Sequence, residues 1–149
     1  MIAVSLRPVG QDWGTISFAS TLYLNPILDL LLEQIPRRWR PELRLGLQEA
    51  LVNAAKHGNN LDPSKKVKVH FTAINGEYWW VISDEGPGFC PPCCQQTDQG
   101  ASLPSDASER GRGLCLLHLI FDQVQWNRQG TEIRLCKQVN SRSRLPLVP

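Results

Sequence analysis

Residues 43–60 read LRLGLQEALVNAAKHGNN, a helical stretch with polar groups where an amphipathic helix needs only a core stripe. Leu43, Leu47, Leu51 and Ala54 recur at three- and four-residue steps, the period of a helix face turned to a core. Glu49 and Asn53 stand four apart on a neighbouring face, so a carboxylate sits one turn from a carboxamide. Such a pair can hold a metal ion and a reacting hydroxyl. Alone, most Glu/Asn pairs at this spacing are solvated helix sides, so other segments have to decide.

Two glycine segments do. Asp84-Glu85-Gly86-Pro87-Gly88 comes first and Gly111-Arg112-Gly113-Leu114 follows. With Glu49-x-x-x-Asn53 they resemble, in order and spacing, the N box and two glycine boxes of the Bergerat-fold (GHKL) ATPases. The run EALVNAAKHGN is most similar to the serine-kinase anti-sigma-factor branch. The resemblance covers roughly residues 14 to 137, and three linked motifs are specific where a lone Gly-x-Gly is weak.

A chain of 149 residues is long enough for one core. Sixteen Lys plus Arg against fourteen Asp plus Glu leave +2, with only the short basic turn Arg37-Arg38-Trp39-Arg40 and no long basic run, which argues against nucleic acid as the main ligand. The first residues lack the apolar core of a signal peptide, and no segment approaches the ~20 apolar residues that span a bilayer. The expectation is a cytoplasmic protein without membrane contact. Cys90, Cys93 and Cys94 bunch together, whereas Cys115 and Cys136 fall in expected core elements. A zinc site would need a second pair, so reduced thiols are the simpler reading.

Residues 1–14 show no period and read as a loosely tied lead-in, with a strand expected at 15–20. Asn25-Pro26 reads as a cap plus first-turn proline, opening a packing helix that Pro36 stops. Pro41-Glu42 opens the central helix, and His57-Gly58 should close it, with Gly58 in the left-handed conformation. Residues 66–73 alternate wet and dry side chains, Asn75-Gly76 is a hairpin turn, and 77–83 is apolar on both faces, hence central. Residues 89–109 lack a period and form a loop long enough to be a lid. A helix whose amino end begins at Gly111 follows, then a hairpin turning at Gln129-Gly130. The domain is expected over 15–138 and a disordered tail over 139–149.

The residues themselves suggest a chemistry. Gly111, Arg112, Gly113 and Leu114 at a helix start would leave free N–H groups, a ready phosphate site, although a plain loop-to-helix turn reads the same. No Gly-x-x-x-x-Gly-Lys-Ser/Thr occurs, which excludes a Walker-type site. Asp84 at a strand end can accept from an exocyclic amine, or merely form an Asx turn ahead of Gly86. Gly86 and Gly88 allow a tight backbone turn. Lys56 and His57 can line the phosphate side, or simply gather at a helix C-terminus.

The resemblance implies more. Asp84 would read the adenine N6 group, helped by Thr131 of Gly130-Thr131; Asn53 would bind Mg²⁺ through its side-chain oxygen; Glu49 would be the general base. It implies a two-layer α/β (α+β) sandwich, a mixed, mostly antiparallel sheet with helices on one face, binding ATP and Mg²⁺. The expected function is phosphorylation of a serine or threonine on a small protein, with a sigma factor or an anti-sigma-factor antagonist as partner and a homodimer left open. The alternative is a nucleotide-holding module that sequesters its partner with negligible phosphotransfer. Lid residues match no family pattern, and only a strand and one helix precede Pro41, which argues against a two-component kinase.

Overall fold

The computed structural model describes residues 2–6, 13–89 and 105–139. In chain order they form β1 (Ala3–Leu6), β2 (Trp13–Ala19), α1 (Asn25–Leu32), a 3₁₀ turn (Arg37–Trp39), α2 (Arg40–Val52) and a π-helical turn (Asn53–Gly58). Then come β3 (Lys66–Ile74), β4 (Glu77–Ser83), α3 (Ser105–Ile120), β5 (Gln123–Trp126) and β6 (Glu132–Gln138). The strands make one six-stranded sheet in the order β1-β2-β3-β4-β6-β5. Val67 and Val69 are buried while Lys66 and Lys68 are exposed, as alternation requires. Asn75 and Gly76 take φ of 53° and 79°, the pair of positive values a two-residue hairpin needs, so Ile74 pairs with Glu77. The doubly apolar β4 lies inside the sheet between β3 and β6.

Two expectations about the sheet are corrected. The first residues are no loose lead-in: Val4 of β1 pairs with Ile16, and β2 begins at Trp13. Ile2, Val4 and Leu6 do alternate with Ala3 and Ser5, but an alternation over five residues ahead of an aperiodic stretch is a short signal. All five pairings are antiparallel, so the sheet is not mixed. After β4 the chain crosses through α3 to the far edge as β5, then turns back so that β6 fills the gap.

The helices pack on the sheet face that presents Ile16, Phe18, Val67, Val69, Trp80, Ile82, Ile133 and Leu135. Ile27, Leu28, Leu31 and Leu32 come from α1, Leu43, Leu47 and Leu51 from α2, and Leu114, Leu117 and Ile120 from α3. The α2–α3 crossing is close because Gly46 lacks a side chain: a Cβ there would lie 2.6 Å from the Phe121 ring. Asn25 is the first helical residue of α1 rather than its cap, which is Leu24, and its Oδ1 accepts from Arg44 Nη2 (3.1 Å). Glu42 is not merely an acid near a helix start. It is fully buried, 3.6 Å from Lys137 Nζ, which lies over the Trp39 ring and donates to the Ile120 carbonyl at the end of α3 (2.8 Å).

Three further expectations differ from the structure. Helical hydrogen bonding stops being α at Val52, and the next turn is wider, with Asn59 N–H donating to the Ala54 carbonyl five residues back. The left-handed residues are Asn60 and Leu61, both at φ 55°, and Gly58 is not among them. Helix α3 starts at Ser105, so Gly111 and Gly113 are its seventh and ninth residues rather than its beginning. Of the cysteines, Cys136 is buried but Cys115 is exposed. Cys90, Cys93 and Cys94, most of the expected lid (90–104) and the tail (140–149) lie outside the described residues.

Candidate functional site

Glu49 and Asn53 reach the same cleft, lined also by Val52, His57, Gly113, Leu114 and Leu117. The helical step from 49 to 53 places carboxylate and carboxamide together, and α3 forms the opposite wall. Gly113 makes that wall possible, since a Cβ would stand 2.9 Å from Glu49 Oε2. The cleft has about 30 Å³ of free space, room for about two water molecules. Asn53 Oδ1 is buried and has no hydrogen-bond partner among the described residues. A buried carbonyl oxygen left without a donor is a fitting ligand for a hard cation such as Mg²⁺.

The π turn carries this cleft to a second cluster. His57 lines the cleft, and the next residue, Gly58, lies against the Asp84 carboxylate so closely that any Cβ would collide with it. A Cβ on Gly86 would in turn strike the Gly58 carbonyl. Gly58 is therefore required by contact, not by a left-handed cap. Asp84 leaves the end of β4 with its N–H on the Thr131 carbonyl (2.9 Å), and its Oδ1 accepts from Gly86 N–H (2.8 Å). The Asx turn is real, yet a carboxylate has about four lone-pair sites, so it does not preclude a ligand bond. Gly88 and Gly130, at φ of 83° and 72°, interlock: a Cβ on one would meet the Gln129 carbonyl and on the other the Phe89 carbonyl.

Two asparagines that the motif reading passed over hold this cluster. Asn59, fully buried, accepts from Glu85 N–H (2.7 Å) and donates to Ser20 Oγ (2.8 Å) and the Lys66 carbonyl (3.0 Å). It ties the end of the π turn to the first glycine segment. Asn127 accepts from Thr131 N–H (2.9 Å) and donates to Thr131 Oγ1 (2.9 Å), fixing the threonine beside Asp84. The signal for Asn59 was its place directly after His57-Gly58; nothing marked Asn127.

Thus Glu49, Asn53, His57, Gly113 and Leu114 meet at one end, and Asp84, Gly86 and Thr131 at the other, with Gly88 bracing the second through Gln129. Lys56 is half-buried in the π turn but does not line the cleft. Gly111 and Arg112 are placed within α3, where their backbones continue the helix instead of opening it. The expected free N–H groups are therefore not offered in this conformation, because a helix interior already uses them.

The sequence matches the histidine kinase-like ATPase domain over residues 29–137. It is similar to the serine-protein kinase RsbW of Bacillus subtilis (strain 168), 30% identical over 104 residues, which covers 66% of this chain and 64% of that protein. The serine-protein kinase RsbW of Bacillus velezensis is 29% identical over 104 residues, with the same coverage. The chain thus spans 64% of the length of these curated relatives.

Proposed function

Because the chain belongs to the histidine kinase-like ATPase family, we propose that it binds ATP with Mg²⁺ and transfers the γ-phosphoryl group to a serine or threonine of a small protein partner. The regulated system would be a sigma factor or its antagonist, with the protein acting in the cytoplasm as monomer or homodimer. The observation that carries this reading is the convergence of Glu49 and the orphaned Asn53 oxygen in one cleft, joined by a single π turn to Asp84. Likeness to two serine-protein kinases supports it. Among the described residues no helix is long and apolar enough to cross a membrane.

Asp84 would accept from the adenine amine while Thr131, held by Asn127, flanks it. Asn53 would hold Mg²⁺, which when bound neutralises phosphate charge. Glu49 would take the proton of the attacking hydroxyl as its oxygen bonds to the γ-phosphorus and the bond to ADP breaks. His57 would line the phosphate side, and Arg112 and Lys56 would add positive charge to that end. Phosphoryl transfer asks little more of a protein than position, charge and a proton acceptor. Gly111, Gly113 and Leu114 would meet the phosphates once the first turns of α3 unwind. Glycine costs about 1 kcal/mol relative to alanine in a helix, so two in three residues leave that stretch weakly wound.

The test is incubation of the protein with γ-labelled ATP and the protein that co-purifies with it. Label on a serine or threonine of the partner is expected. If ATP and partner both bind but no label moves, the function is sequestration without transfer.

A further inference from the structure

A second, larger concavity lies away from the nucleotide cleft. It runs between α1 and the amino end of α2, encloses about 640 Å³, and is lined by Asp29, Leu32, Glu33, Arg37, Arg40 and Arg44. Arg44 is held from two sides, by Asp29 Oδ1 (2.9 Å) and Asn25 Oδ1 (3.1 Å). Arg40 is held by the carbonyls of Ile35 (2.9 Å) and Glu33 (3.2 Å). These bonds use only part of each guanidinium. A guanidinium carries five N–H donors in a fixed fork suited to carboxylates, and one already held in place loses less freedom on binding. Arg37 and Arg38 are exposed at the same end.

We propose that this groove is a docking site for an acidic, partly apolar polypeptide segment on the protein partner; the inference rests on the kinase reading for the existence of that partner. The charge is local. Four arginines at 37, 38, 40 and 44 against Asp29 and Glu33 account for the whole +2 excess of the chain. The ligand class follows from the lining. Asp29 and Glu33 stand in the same wall and would repel a continuous polyanion, whereas carboxylates spaced along a peptide can meet the arginines and avoid the acids. Leu32, buried at the base, suits an apolar side chain between them. The site is also remote from transfer: thirteen residues of helical rise separate Arg40 from Asn53, about 20 Å. A partner could be gripped here by one segment while another presents its hydroxyl.

The experiment uses the full chain and fluorescence anisotropy with a short labelled peptide in which glutamates alternate with leucines, beside a version with lysine for glutamate and beside heparin. The acidic peptide is expected to bind, the lysine version not, and binding should weaken as salt rises from about 50 to about 300 mM. Arg37→Glu, an exposed change that breaks no structural bond described above, should weaken the peptide by at least about tenfold. Its Mg·ADP affinity should stay unchanged, which shows an intact fold. Arg40→Gln should weaken the peptide less. Peptide affinity unaffected by Arg37→Glu, or heparin binding more tightly than the peptide, overturns the proposal. Transfer to the true partner with unchanged KM in Arg37→Glu removes the groove but leaves the kinase standing. Peptide binding by a chain that transfers no phosphate leaves the groove and removes the kinase.

Discussion

Gly58 and Asp84 explain each other. The carboxylate occupies the volume where any other residue at 58 would place its Cβ, and the Gly58 carbonyl in turn fixes Gly86 as glycine. Gly58→Ala must therefore push Asp84 off its position. A loss of stability of about 1–3 kcal/mol is expected, with ATP affinity lowered alongside, readable by denaturant unfolding and calorimetry on one preparation; full ATP affinity would show that Asp84 does not touch the ligand. A second residue-scale effect is set by pH. Burial, with Glu77 and Asp122 nearby, pushes the Cys136 thiol up to about 11 from an ordinary 9.0. The folded state thus favours the neutral thiol, while the unfolded chain ionises first. Stability from this group is fully present below pH 9 and falls between 9 and 11. The deficit of Cys136→Ala relative to the natural chain should narrow over that window in denaturant titrations, and a constant deficit would contradict the assignment.

At the scale of elements, α3 makes the sharpest claim. It is wound from Ser105 and walls the cleft beside Glu49, so the proposed phosphate contacts of Gly111 and Gly113 would require its first turns to unwind. Gly111→Ala adds about 1 kcal/mol of helix propensity without lengthening a side chain appreciably. ATP affinity is expected to fall about fivefold, since the added helix stability must be undone on binding; unchanged affinity would mean that the helix stays wound. The same element shows what was legible. The stripes of α1, α2 and β3, and the Asn75-Gly76 hairpin, stand in the sequence because their periods report burial directly. The start of α3 does not: Ser105 to Arg112 is mostly polar, and Gly111 and Gly113 read as a loop. The π turn was hidden too, because Ala54, Ala55 and His57 fit an α pattern as well. The edge strand β1 carries only the short alternation of Ile2, Val4 and Leu6 with Ala3 and Ser5.

On the scale of the whole molecule, a six-stranded antiparallel sheet backs three helices, and α2 runs past both candidate surfaces, with the arginine groove at its beginning and the cleft at its end. Glu49 and Asn53 share a cleft with Gly113 and Leu114, and Asp84 and Gly86 pack against Gly58, but the ties made by Asn59 and Asn127 are long-range hydrogen bonding that no local spacing announces. The base site should discriminate. If Asp84 accepts from an exocyclic amine as proposed, ATP should be favoured over GTP by at least about tenfold, and Asp84→Asn should erase most binding; equal calorimetric affinities for the two nucleotides would remove the adenine assignment. Most direct is a paired measurement of ATP affinity and single-turnover transfer to the co-purified partner in Glu49→Ala and Asn53→Ala. Asn53→Ala should lose both together, whereas Glu49→Ala should keep ATP and partner binding and slow transfer by about 10²- to 10⁴-fold. Transfer by Glu49→Ala at the natural rate would contradict the account and leave Glu49 a carboxylate on the surface of a helix.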